Sequence, residues 1–101
     1  MADRFVNSRI WEDKVTLFVK AGCPYCRNAV EMLKNYKFIP GKLKVFDITG
    51  LEDVQDYLRQ ITGQNTVPRV FIGRRCIGGL SDLENMYWQL PRMLRQIGAL
   101  Q

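Results

Sequence analysis

Apolar residues recur along the chain first at helical and then at near-continuous spacing, and the alternation predicts helices and strands in turn. Residues 3–12 place Phe5, Val6 and Ile10 on one side of a short amphipathic helix. Lys14–Val19 is a run of β-branched and apolar residues, the pattern of a strand covered on both faces by helices. Pro24–Tyr36 returns to helical spacing through Ala29, Val30, Leu33 and Tyr36, and Pro24 suits a first turn because no N–H partner is needed there. Gly41 interrupts the chain before a second apolar strand, Leu43–Ile48. Thr49-Gly50-Leu51-Glu52 reads as a capping box opening a helix through Leu51, Val54, Leu58 and Ile61 that stops at Gly63. Val70–Ile72 and Cys76–Ile77 predict a hairpin around Gly73-Arg74-Arg75. Ser81-Asp82-Leu83-Glu84 is a second capping box before a last helix, which Pro91 breaks or restarts and which ends near Gly98.

The resulting order, α-β-α-β-α-β-β-α with an optional C-terminal helix, predicts an α/β fold. Its two first strands are joined by a helix and should be parallel with a right-handed crossover, and the last pair should be antiparallel. The expectation is a mixed four-stranded sheet with helices on both faces, in one domain over residues 1–101.

Composition narrows the function. Hydrophobic residues make up 47% and charged residues 25% of the 101 positions, an ordinary globular balance. No apolar run approaches the ~20 residues of a membrane span. Met1-Ala2-Asp3-Arg4-Phe5 is too polar for a signal peptide. With three cysteines, the expectation is a reducing compartment, the cytoplasm. A monomer with no membrane partner is expected as well. The net charge of +5 invites a nucleic-acid reading, but the cations are scattered among acids without a long run. Between Lys14 and Phe46 seven basic residues face one acid, Glu31, and Arg69, Arg74 and Arg75 gather later. The bias reads either as a solvated surface or as a rim that steers an anionic small substrate.

The chemistry centres on Cys23-Pro24-Tyr25-Cys26, placed between the first strand and the helix after it. A sulfur at a helix N-terminus meets free N–H groups and the positive end of the dipole, which favour the thiolate nucleophile. The second thiol, one turn on, is close enough to form a disulfide and should be the more buried. Cys23 also lies beyond the carboxyl end of a strand, where α/β folds bind ligands. Zinc is the alternative for such a pair, but the chain has no His and only Cys76 besides, so a closed Cys₄ site is impossible. The reading is therefore thiol–disulfide exchange. Lys20 and Arg27 either favour the thiolate or are plain surface. Thr66-Val67-Pro68 reads as a turn, and as a bare X-Pro bond Val67–Pro68 would be trans. Gly78-Gly79 and Ser81 read as a turn and helix start, or as an anion site, and Asp82 as a first-turn acid. Cys76 is a buried small hydrophobe or an oxidisable side thiol.

These motifs together resemble the dithiol glutaredoxins over nearly the whole chain. The residues concerned are Lys20 ahead of Cys-Pro-Tyr-Cys at 23–26, Thr-Val-Pro-Arg-Val-Phe-Ile-Gly at 66–73, Cys-Ile-Gly-Gly at 76–79, Ser81-Asp82, and the tail Gln96–Gln101. The two ends look like the cytosolic vertebrate type, and the chain also looks like the member encoded by poxviruses, which would act in host cytoplasm. The resemblance implies a thioredoxin-type fold, no bound cofactor or metal, and glutathione as co-substrate. It implies that Cys23 is the nucleophile and Cys26 the resolving thiol, and that Pro68 is cis and holds the Val67 backbone opposite Cys23. Lys20 and Gln55 would meet the glycyl carboxylate of glutathione, and Tyr25 and Thr66 would line the groove. Gly79 and Ser81 would receive the γ-glutamyl carboxylate with their N–H groups, and Asp82 its ammonium. The implied partners are glutathionylated and disulfide-containing proteins, with ribonucleotide reductase and dehydroascorbate among the acceptors. Asn65 stands where relatives often carry Arg, and Leu80 where some carry Cys. Pro24 resembles members that assemble no iron–sulfur cluster. A thioredoxin-like enzyme recharged by a flavoprotein and a non-catalytic iron–sulfur carrier are the rival readings.

Overall fold

The computed structural model describes residues 1–101. Its elements are α1 (Ala2–Asn7), β1 (Val15–Val19), α2 (Pro24–Lys34), β2 (Leu43–Asp47), α3 (Glu52–Thr62), β3 (Arg69–Ile72), β4 (Arg75–Gly78), α4 (Leu80–Asn85) and α5 (Leu90–Gln96). The strands form one sheet in the order β2-β1-β3-β4, with β1 parallel to β2, and β3 antiparallel to both β1 and β4.

The continuous apolar strands have a simple cause: both faces of the sheet are covered. Val15 and Leu17 of β1 join Val70 and Ile72 of β3 against Ala29 and Leu33 of α2, Leu83 of α4, and Leu90 and Leu94 of α5. Phe18 and Phe71 point the opposite way, to Val6, Ile10, Ile48, Val54 and Leu58 beside α1 and α3. Alternate residues of one strand thus serve two cores. Thr16, on the α1 side, is fully buried and satisfied by donating its hydroxyl to the Arg9 carbonyl at 2.8 Å.

Several expected boundaries move for tertiary reasons. The first helix ends at Asn7 rather than continuing to residue 12. Beyond it, the Arg9 and Ile10 carbonyls accept from Thr16 and Arg74 instead of from a further helical turn. The Thr49 capping box does not form: α3 is capped at Leu51 without a side-chain bond, because the Thr49 hydroxyl is engaged with Ala21 and Asp47. The last helix begins earlier than the Ser81 box suggests, at Leu80 after Gly79, and Pro91 restarts the chain as α5. The tail is pinned by Phe38 pairing with Leu100 and by the Ile39 N–H donating to the Ala99 carbonyl at 2.8 Å.

Candidate active site

Cys23 caps α2 from outside the helix, in extended conformation, and its sulfur accepts the Cys26 N–H at 3.1 Å. Pro24 takes the first turn as its missing N–H allows. Cys23 and Cys26 are joined as a disulfide, with Cα atoms 5.2 Å apart. Their environments differ. Cys26 is 3% exposed, whereas Cys23 is only half-buried and faces outward.

Two cavities flank the pair. One, of about 310 Å³, is lined by Lys20, Gly22, Cys23, Cys26, Arg27, Val30, Glu31 and Lys34 with Val19. The other, of about 500 Å³, brings together Tyr25, Thr66, Val67, Pro68, Gly79, Ser81 and Asp82, with Arg69, Leu80 and Glu84. The Cys23 sulfur lies 3.9 Å from the Val67 carbonyl oxygen, so the second cavity ends against the disulfide. The Val67–Pro68 peptide is cis, as the resemblance implies and the bare sequence does not. Gln55 lines neither cavity. It sits in a tight crevice behind Thr66 and Val67, with its amide donating to the Ile48 carbonyl at 3.4 Å.

The glycine pair acquires a specific reason. Gly78 has φ +114°, and a Cβ there would fall 2.1 Å from an Asp82 carboxylate oxygen. A Cβ on Gly79 would lie 3.1 Å from Nη2 of Arg69 and 3.2 Å from the Pro68 carbonyl. The Gly79 N–H, which the resemblance offers to a ligand, is already donated to Asp82 at 2.9 Å. The loop before Cys23 has its own tether. The Ala21 N–H donates to the Thr49 hydroxyl at 2.8 Å, and the Thr49 N–H to Asp47 at 2.8 Å. The Thr49 hydroxyl and then its N–H hold the Asp47 carboxyl below its ordinary value.

Leu80 and Glu84 belong to the second cavity and escaped sequence reasoning as site residues. Arg69 lines it too; the sequence offered it only as part of a basic cluster, and it stands as a charge at the head of the apolar run Val70–Ile72.

A mixed four-stranded sheet with a disulfide-forming Cys-x-x-Cys at the head of the helix after its first strand defines a thioredoxin-fold thiol–disulfide oxidoreductase. The glutaredoxin family model matches residues 15–77. Glutaredoxin-1 of Gallus gallus is 63% identical over 100 residues, covering 99% of each chain. The vaccinia virus Glutaredoxin-1 is 44% identical over 106 residues, covering 99% of this chain and 97% of its own, so by identity the vertebrate likeness is the stronger of the two. A buckwheat glutaredoxin solved in complex with glutathione superposes with a TM-score of 0.91 at 26% identity, covering 100% of this chain and 94% of that one. The chain belongs to the glutaredoxin family.

Proposed function

We propose that the protein reduces protein–glutathione mixed disulfides and protein disulfides with glutathione as electron donor. One observation carries the reading: the half-exposed Cys23 sulfur of the Cys23–Cys26 disulfide opens on one cavity and lies 3.9 Å from the carbonyl of Val67, which lines the other, while Cys26 is only 3% exposed. In the reduced enzyme the Cys26 N–H and the start of α2 favour the Cys23 thiolate. That thiolate attacks the glutathione sulfur of a mixed disulfide, and the protein thiolate leaves. The thiolate of a second glutathione attacks the glutathione sulfur held on Cys23, giving glutathione disulfide and regenerating the Cys23 thiolate. With a protein disulfide, Cys23 attacks one sulfur and the other leaves as thiolate. Cys26 then attacks the Cys23 sulfur, releasing the second protein thiolate and leaving the intramolecular disulfide for two glutathiones to reduce. Glutaredoxin potentials near −200 to −230 mV, roughly at the glutathione pool, suit that recharging.

The larger cavity fits the glutathionyl group, with the Val67 backbone along its cysteinyl portion and Tyr25 and Thr66 as walls. Gly79, Ser81 and Asp82 frame the γ-glutamyl head. Lys20, and Gln55 after side-chain rotation, serve the glycyl carboxylate. Dehydroascorbate and ribonucleotide reductase are acceptors consistent with this chemistry; the cysteine usage suggests the cytoplasm as the setting, and the protein acts there as a monomer.

A pair of variants tests the roles. Cys26→Ser should retain deglutathionylation of a glutathionylated protein and lose most protein-disulfide reduction. Cys23→Ser should lose both. Deglutathionylation surviving in Cys23→Ser would overturn the assignment.

A further inference from the structure

Once the glutathionyl group takes the groove beside Val67, the cavity lined by Lys20, Arg27, Glu31 and Lys34 is the other space bordering Cys23. Its charge is one-sided. Three cations stand against one acid, whereas the groove has one cation, Arg69, against Asp82 and Glu84. None of the three cations is neutralised within the chain, whose ion pairs are Met1–Asp3 and Lys42–Asp13. Glu31 follows Arg27 by four positions and precedes Lys34 by three, spacings at which helix neighbours pair, yet it pairs with neither.

Arg27 and Lys34 are exposed on one face of α2, two turns or about 10 Å apart. The Lys34 backbone lies about 16 Å along the helix from Cys23. A glutathionyl group ends one residue past its cysteine, roughly 3.3 Å of backbone, and leaves Lys34 unanswered. A longer chain does not. In extended form it passes Arg27 about two residues from the linked cysteine and Lys34 about five.

We propose that this flank of α2 docks the polypeptide half of the mixed disulfide and selects substrates with acidic residues near the reactive cysteine. The inference rests on the reduction of protein–glutathione mixed disulfides proposed above. An acidic segment meets unpaired cations on this flank and two carboxylates on the other, so charge sets the direction in which the polypeptide leaves the thiol. Long exposed side chains fit a charge loosely rather than a shape, which lets one surface accept many acidic sequences.

Three glutathionylated peptides test this, alike except for glutamate, glutamine or lysine at the second and fifth positions on both sides of a single cysteine. At low ionic strength the intact protein should favour the glutamate peptide over the glutamine one by about three- to tenfold in kcat/KM, mostly through KM, and disfavour the lysine one. Lys34→Glu should cancel most of that preference and raise the lysine peptide above its rate on the intact protein. The mixed disulfide of glutathione with 2-mercaptoethanol has no polypeptide to dock, and Lys34→Glu should slow it far less than the glutamate peptide. Arg59→Glu is the control: it makes the same charge change, also in the last turn of a helix, on α3 across the sheet, and should keep the peptide order. An order unmoved by Lys34→Glu, or moved equally by Arg59→Glu, would overturn the proposal, as would equal slowing of the 2-mercaptoethanol substrate. Direct binding gives a second readout. The glutamate peptide with serine for its cysteine should shift the backbone amide resonances of Arg27–Lys34 in the ¹⁵N-labelled protein. Shifts confined to Thr66–Arg69 and Gly79–Asp82, or none at millimolar peptide, would also overturn it. An intact protein inactive on all three peptides would sink the glutathione reading and this one together, whereas activity without order by charge would sink this one alone.

Discussion

On one side of the disulfide the cavity wall is made of long charged side chains, Lys20, Arg27, Lys34 and Glu31, none in an ion pair with another. On the other side the wall is formed by two stretches, Thr66–Arg69 and Gly79–Asp82, packed closely enough that a Cβ on Gly79 would lie 3.2 Å from the Pro68 carbonyl. The first wall acts through a field, which reaches far, tolerates movement and is screened by salt. The second acts through contacts, in which a single added carbon collides. A substrate approaching the half-exposed Cys23 sulfur thus meets net positive charge on one flank and close-packed walls on the other.

Gly78→Ala should break the contrast most severely. It adds a Cβ at φ +114° and 2.1 Å from the Asp82 carboxylate, which must swing away and release the Gly79 N–H. The expected loss is about 3 kcal/mol, a Tm drop of at least about 10 °C in calorimetry. A drop under about 2 °C would show the contact wall to be as yielding as the charged one.

The charged flank should give a smaller, salt-dependent change. Lys20→Met with Arg27→Met should slow reduction of an anionic glutathione mixed disulfide by about three- to tenfold at low ionic strength. The two proteins should converge as salt rises toward about 1 M, where the Debye length shrinks to about 3 Å. A gap that stays constant with salt would mean direct contacts on both flanks and erase the distinction.

The tether of the charged flank should give the smallest effect. Asp47 is held below its ordinary 3.8 by the Thr49 hydroxyl and N–H, so its folded value is depressed. A depressed acid contributes stability above its unfolded value and loses it as pH falls through the folded one. Asp47→Asn should lower Tm slightly at pH 7, and the difference from the unsubstituted protein should shrink and close as pH falls below 3.8. A difference that persists into that acid range would assign the tether to something other than the carboxylate charge.

Much of the fold was readable because it is written in local periodicity. The strands at β1 and β2, the helix after Cys23 and the hairpin at Gly73-Arg74 follow from spacing and turn residues alone. The capping boxes show where local signals fail. Thr49 and Ser81 have the right residues at the right offsets, yet Thr49 spends its hydroxyl on Ala21, 28 positions away, and Gly79 takes the cap that Ser81 seemed to own. Competition from distant partners cannot be seen in a window of four residues. The same holds for Gln55, whose amide turns toward Ile48, and for the tail pairing of Leu100 with Phe38.

What the sequence by itself determined is the redox chemistry. The spacing of Cys23 and Cys26, the strand before them, the helix after them, and too few ligands for zinc leave exchange as the chemistry. The tertiary structure alone decided the recognition. It buried Arg69, threaded Gly78 and Gly79 between a guanidinium and a carboxylate, and set the Val67 carbonyl against the Cys23 sulfur. Reactivity needs two neighbours in the chain and the end of one helix, whereas a binding groove is assembled from segments some 40 to 60 residues apart that meet only when the sheet forms.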